Sequence, residues 1–394
     1  MYQRALVQQL ADRLNEPRHF MQIVVGPRQT GKTTAVTQSL KQITLPSRFV
    51  SVDEAVVPSR EWLSNEWDLA RQLALSSTGQ AVLVIDEIQK VPQWSSAVKA
   101  LWDEDSRLEH DLQIVLTGSS SMLVQRGLEE SLMGRFEVLY CHHWNYAECQ
   151  QAFGYTLDDF LYFGGYPGAA LLRHDEARWA RYMGSSIVEP TISQDVLSME
   201  QVRKPALLRA LFRLGAIYSA QELSYTKLQG QLQDAGNTVT LAHYLDLLGK
   251  AGMLCGLQRF SLDAVQTRNS SPRLLVFDTS LMTYGYGASR STLMDDRTAR
   301  GHLVESAIGA HLLARSQDEG FDLFWWRDRS NEVDFVIRQG DRLTAIEVKS
   351  GTTKRLDGLD TFMKRYPRAL ALVIGTANCT LEQFLLDEVP LFRS

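Results

Sequence analysis

Over residues 1–152, apolar and polar positions alternate in blocks. Five short runs, Met21–Val25, Arg48–Val52, Ala81–Ile85, Gln113–Thr117 and Glu137–Cys141, are rich in Val, Ile and Leu and too short for helices. Helix-spaced stretches separate them, and that alternation predicts a parallel sheet with helices on both faces. From Leu157 to Leu257 the spacing turns mostly helical, with helices expected at Ala206–Ile217, Leu223–Leu232 and Thr240–Ala251, then a strand at Leu254–Phe260. Beyond Gly301 it changes again. A helix at His302–Arg315 precedes strands Asp322–Arg327, Glu332–Arg338 and Leu343–Lys349, the last two joined through the turn Gln339-Gly340-Asp341. A helix near Leu356–Arg365 and a strand at Ala369–Ile374 complete a small α/β domain. The expected division is 1–152, 153–290 and 291–394.

Composition adds only exclusions. The 394 residues are 44% apolar and 22% charged, an ordinary globular balance. The apolar runs are strand-sized, short of the roughly 18 residues a bilayer crossing needs, so no membrane partner is expected. Met1–Leu14 carries Arg4, Asp12 and Arg13 among helix-spaced apolar residues and does not read as a signal peptide. Cys141, Cys149, Cys255 and Cys379 form no C-x-x-C pair, which argues against a zinc or disulfide framework and fits a reducing cytoplasm. The formal net charge of −5 neither predicts nor excludes nucleic acid, because a local basic patch is enough for phosphate binding.

Gly26-Pro27-Arg28-Gln29-Thr30-Gly31-Lys32-Thr33 fits G-x-x-x-x-G-K-[ST] at every fixed position, after a predicted strand and before a predicted helix. In such a loop backbone N–H groups wrap phosphates, and the helix N-terminus, with Thr34 in its first turn, adds a favourable dipole. Lys32 is expected to reach the β- and γ-phosphates of ATP, and Thr33 to ligate Mg²⁺. The strand Ala81–Ile85 delivers Asp86 to the same magnesium, and Glu87 is placed to orient the attacking water. Taken alone, an Asp after a strand is as readily a helix cap; beside the phosphate loop the metal reading wins.

The Asp86-Glu87 pair, the strand ending in Gly118-Ser119-Ser120, and Gly134-Arg135-Phe136 resemble an AAA+ ATPase. More narrowly, "IDEIQKVPQW", "LTGSSS", "GGYPGAAL" and "NEVDFV…IEVKSG" make the whole chain similar to a bacterial and archaeal family of AAA+-type ATPases with an uncharacterised C-terminal region. The resemblance implies Ser119 at the sensor-1 position, with Ser120 or Thr117 as substitutes. It also implies Arg135 as an arginine finger acting on a neighbour's ATP, hence a homo-oligomer, with Arg126 as runner-up. A surface Arg paired with an acidic residue is the plainer reading of Arg135.

The middle segment resembles a winged helix, with Asn237–Lys250 as the recognition-type helix. It carries Asp246 and a lone basic residue, Lys250, so a structural or protein-binding role competes evenly with DNA reading. Arg203, Lys204, Arg209 and Arg213 are candidate phosphate contacts or a solvated face. In the last domain, Asp334, Glu347 and Lys349, with Glu305 from the preceding helix, resemble the PD-(D/E)XK nuclease pattern. That implies a second Mg²⁺ or Mn²⁺ held by Glu305, Asp334 and Glu347, Lys349 offsetting phosphate charge, and a DNA or other nucleic-acid partner, with Arg342, Lys354, Arg355, Lys364, Arg365 and Arg368 nearby. The competing reading is an ion-pair cluster in a docking domain. Three functions follow: an ATP-driven machine on nucleic acid ending in a nuclease, a nucleotide switch whose C-terminal modules bind protein, and a nuclease regulated by ATP.

Overall fold

The computed structural model describes residues 2–118, 132–197, 202–232, 237–262, 271–349 and 356–392. The chain divides into two units, Met1–His142 and His143–Ser394. In the first, β1 (Met21–Val25), β2 (Ser47–Ser51), β3 (Gln80–Asp86), β4 (Asp111–Gly118) and β5 (Phe136–Tyr140) form a parallel sheet in the order β2-β3-β4-β1-β5. The five predicted runs are these strands: Met21–Val25 coincides with β1, and the other four are shifted or extended by one or two residues at their ends.

Alternation along β3 explains why its run is continuously apolar. Ala81, Leu83 and Ile85 pack under helices Arg60–Leu75 and Trp94–Leu108, in a core with Trp67, Trp94 and Trp102. Val82 and Val84 face the opposite side, against Leu6, Leu10, Ala35 and Val36 from helices Ala5–Leu14 and Lys32–Leu40. A sheet covered on both faces has no polar side, so its strands lose the period-2 signature. Since β4 lies between β3 and β1, the carboxyl ends of all three strands open on one rim.

The second unit begins with short helices, among them Leu157–Phe163 and Glu176–Tyr182. Helices Pro205–Ile217, Tyr225–Gln231 and Thr238–Lys250 follow, then an antiparallel pair, β6 (Leu254–Leu257) and β7 (Arg273–Val276). The strand expected to reach Phe260 stops at Leu257, and the chain continues as an isolated bridge from Arg259 to Trp325. The long helix Arg297–Glu319 leads to β8 (Asp322–Asp328), β9 (Asn331–Gln339), β10 (Arg342–Val348), helix Asp357–Arg365 and β11 (Leu370–Ile374). This is the predicted order of helix, three strands, helix and strand. The sheet order is β11-β10-β9-β8, with β10 and β11 parallel and the other pairings antiparallel. A register shift between Phe324 and Trp326 lets consecutive tryptophans both go inside, Trp325 at 1% and Trp326 at 2% exposure, so neither offers a ring for stacking on a base. Among the described residues no helix is long and apolar enough to cross a membrane.

Candidate nucleotide site and a buried carboxylate cluster

The loop between β1 and helix Lys32–Leu40 has two residues in the left-handed region, Gln29 at φ 58° and Gly31 at φ 95°. Gly26 is required for a different reason: a Cβ there would lie 2.2 Å from the carbonyl oxygen of Cys141. Lys32 is buried, and its ammonium donates to the carbonyls of Gly26 (3.0 Å) and Pro27 (2.7 Å), folded over the loop it belongs to. Thr30 closes the turn through its hydroxyl to Pro27 O, 3.0 Å.

Asp86, at the end of β3, is the hub of the rim. The Thr33 hydroxyl donates to its Oδ2 at 3.1 Å, and the Thr117 hydroxyl donates to its Oδ1. Thr117 also accepts from the backbone N–H of Glu87, 3.4 Å. Glu87 turns in the left-handed region at φ 60°, which swings its side chain off the strand line. There Gln89 Nε2 donates to Glu87 Oε2 at 2.8 Å, and Lys90 stands 3.5 Å from the same carboxylate while pairing with Asp53. Thus Lys32, Thr33, Asp86 and Glu87 converge on one rim. Thr34 is exposed one position further along the helix. Ser119, Ser120 and Arg126 lie outside the described residues; Thr117 is the hydroxyl seen beside the two acids.

Arg135 is elsewhere. It precedes β5, and its carbonyl accepts from Met21 N (2.8 Å) where β1 begins, at the end of the sheet opposite the phosphate loop. Its guanidinium grips Asp103 with Nε to Oδ1 at 2.8 Å and Nη2 to Oδ2 at 3.2 Å. Five strand residues at about 3.3 Å each separate Arg135 from its own loop, beyond a side chain's reach.

In the second unit the predicted acids are gathered around a residue that sequence reasoning passed over. Arg273, on β7 and 4% exposed at its side chain, donates to Glu305 Oε2 (3.2 Å), Glu332 Oε1 (3.0 Å) and Asp334 Oδ1 (3.3 Å). Its remaining bonds go to the carbonyls of Asp334 (3.2 Å) and Ala220 (2.8 Å). Burial works to lower the Arg273 pKa, and Asp334, Glu305 and Glu332 outweigh it, leaving the value raised. Asp334 also accepts from Val348 N at 2.8 Å, which sets it beside the strand position of Glu347. Glu347 in turn holds Lys349, Nζ to Oε1 at 3.2 Å, both buried. Among the described residues no group of three or more His, Cys, Asp or Glu side chains is arranged to hold a metal ion. The available signal for Arg273 was its place inside the apolar run Pro272–Phe277: a buried strand tolerates a charge only beside a counter-charge.

Of the other basic candidates, Arg209 is paired with Glu189, and Lys250 with Asp246 at 2.8 Å one turn away. Arg342 lies over the Phe392 ring, while Lys354 and Arg355 fall outside the described residues. The phrase Gly164-Gly165-Tyr166 is a packed turn. Buried Asp278 accepts from Gly165 N (2.6 Å) and Ser280 N (3.0 Å), and its Oδ1 would lie 1.9 Å from a Cβ on Gly164. Burial pushes the Asp278 carboxyl above the usual carboxylate range.

Comparison with known proteins agrees with the first unit. Residues 18–150 match the family described as AAA domain. Residues 154–292 match Domain of unknown function (DUF8612), and residues 300–389 match Domain of unknown function (DUF4143). No curated protein matches the chain. Similar solved structures include a Walker-type ATPase of Pyrococcus abyssi, 14% identical, covering 71% of this chain and 94% of that one at a TM-score of 0.49. The Aeropyrum pernix ORC1 protein in complex with DNA is 11% identical, with 79% and 93% covered and a TM-score of 0.31. The Thermotoga maritima RuvB Holliday junction branch migration motor is 15% identical, with 64% and 86% covered and a TM-score of 0.34. Residues 18–150 are thus similar to AAA domains and have an α/β fold with a five-stranded parallel sheet, and two segments matched to families with no assigned function follow.

Proposed function

We propose that the chain binds Mg-ATP on the loop Gly26–Thr33 and hydrolyses it. The observation that carries this reading is the Thr33 hydroxyl donating to Asp86 at 3.1 Å beside the buried Lys32 ammonium. Hydroxyl and carboxylate oxygens are the hard donors Mg²⁺ takes, together with water and phosphate oxygens, so Thr33 and Asp86 fit that ion. When bound, the ion neutralises charge on the β- and γ-phosphates. Lys32 exchanges two neutral carbonyls for phosphate oxygens, a stronger charge-assisted bond. Glu87 orients water once it leaves Gln89 and Lys90, and Thr117 fixes the backbone from which Glu87 projects. Ser119 or Ser120 beyond β4 completes the γ-phosphate contacts. Arg135 serves another copy's ATP, which makes the active form a homo-oligomer.

For the second unit we favour a nucleotide-controlled docking module over a nuclease. Arg273 supports this: a guanidinium already offsets Asp334 and Glu305, the carboxylates a divalent ion would need. The nuclease reading keeps one supporting observation, the adjacency of Asp334 on β9, Glu347 on β10 and Lys349 just past its end. The helices Pro205–Lys250 with β6 and β7 suit a winged helix used as a protein- or DNA-docking element. Two measurements test the scheme on purified full-length chain. Mg²⁺-dependent phosphate release from ATP is expected; its absence at every protein concentration overturns the ATPase. No cleavage of plasmid, single-stranded DNA or RNA is expected with Mg²⁺ or Mn²⁺. Cleavage lost in Asp334→Ala and Lys349→Ala overturns the docking reading and restores the nuclease.

A further inference from the structure

Phosphate loops bind by turning backbone N–H groups inward, which forces carbonyls outward to find donors elsewhere. In this loop Thr30 is fully buried, so its carbonyl has no solvent to turn to. It accepts instead from Arg4, just ahead of helix Ala5–Leu14, with Nη1 to Thr30 O at 3.2 Å, and more weakly from Cys141 Sγ at 3.8 Å. The same nitrogen lies 3.0 Å from His142 O and 3.2 Å from Cys141 Sγ. His142 is the last residue of the first unit. Cys141 is pinned from the other side, its N–H donating to Val25 O at 2.7 Å and its carbonyl filling the space a Gly26 Cβ would occupy.

A guanidinium nitrogen of this kind carries two hydrogens. Three acceptors therefore compete for two donations, two of the acceptors in the exit segment and one in the phosphate loop. Strengthening the bond to the loop weakens the hold on the exit, and the reverse. We propose that Arg4 is a positioning residue that couples the phosphate loop to the chain's exit at Cys141–His142, so that filling the loop changes how firmly that exit is held. This inference rests on ATP binding at the loop. It adds a coupling role for a residue outside the phosphate-loop motif.

The test is amide hydrogen exchange on the full chain, with and without a non-hydrolysable ATP analogue and Mg²⁺, for wild type, Arg4→Lys and Arg4→Ala. In wild type the analogue is expected to protect residues 26–33 and to alter exchange at 141–145. Arg4→Ala is expected to bind the analogue about tenfold more weakly, the loss of one charge-assisted bond. At saturating analogue its loop is still protected, while the change at 141–145 disappears. Arg4→Lys keeps the charge without the fork and gives intermediate values; it carries the test if Arg4→Ala does not fold. The coupling is overturned if wild type shows loop protection with no change at 141–145. It is also overturned if a saturated Arg4 variant retains the full change there. Failure of wild type to bind the analogue is a different result and overturns the nucleotide site itself.

Discussion

Two strand-borne acid pairs in this chain, each beside a buried lysine, have different counter-charges. At the end of β3, Asp86 accepts from hydroxyls and Glu87 from an amide, with the Lys90 ammonium 3.5 Å away, and the nearby Lys32 donates to two main-chain carbonyls. Those carbonyls are neutral, and a phosphate can replace them at little cost. On β9 and β10, Asp334 and Glu347 are matched by Arg273 and Lys349, with Glu305 and Glu332 sharing the arginine. There the protein supplies its own cations. In the first arrangement the lysine is left for an anion with a metal; in the second the arginine and the lysine are already engaged by carboxylates. Residue types alone do not separate the two, because both read as carboxylates and a lysine at strand ends.

The largest expected effect lies on the ligand side of this contrast. Lys32→Ala should reduce ATP binding below detection by calorimetry, since the cation expected to face the β- and γ-phosphates is gone. Glu87→Gln should bind ATP like wild type and release phosphate far more slowly; unchanged turnover would remove Glu87 from the mechanism. Arg135→Ala should come next, with affinity kept and turnover lowered by as much as the 10³–10⁵ an arginine finger contributes. Specific activity should then fall on dilution in wild type. A flat dilution curve would leave Arg135 as a surface ion pair only.

On the side where the cations are already engaged by carboxylates the expected readout is stability. Arg273→Met should destabilise the second unit by about 3–5 kcal/mol, because two buried carboxylates, Glu305 and Asp334, and the half-buried Glu332 are left without their cation. Adding Glu305→Gln and Asp334→Asn to Arg273→Met should recover part of the loss, as expected when the penalty is uncompensated charge. Urea denaturation of the three proteins measures both steps. If Arg273→Met is instead neutral and gains Mn²⁺ affinity, the contrast between the two sites collapses.

The sheet and the turn at Gly26–Thr33 were legible because their signals are local. Buried runs such as Ala81–Ile85 announce strands without any long-range information, and the Gly26–Thr33 motif is contiguous in the chain. The helix, strands, helix and strand of the last domain were legible for the same reason. What escaped was pairing between distant positions. Arg273 meets Glu305, Glu332 and Asp334 across 32 to 61 residues, and Arg4 meets Thr30 and His142 across 26 and 138. Periodicity carries no trace of which charge faces which. The readings of Ser119 and Arg126 fall outside the described residues, and the register shift that takes both tryptophans of β8 inside is invisible in sequence.

The smallest expected effect provides the scale for the others. Arg135 and Asp103 form a two-bond pair much like a buried one in geometry, yet their side chains remain 32% and 40% exposed. Solvent screens such a pair, and ordering two side chains offsets much of the attraction, so exposed pairs contribute about 0–1 kcal/mol. Asp103→Asn should therefore shift the stability of the first unit by less than about 1 kcal/mol, several-fold less than Arg273→Met in the second. The same substitution releases the Arg135 guanidinium from its carboxylate. If Arg135 serves a neighbour's ATP, that release should leave turnover unchanged or raise it, while Arg135→Ala lowers it with a similarly small stability change. Parallel urea curves and phosphate release for the two variants decide the matter. Equal turnover in both would mean that the pair is a surface contact; a large stability loss in Asp103→Asn would mean that exposure does not distinguish this pair from the Arg273 cluster.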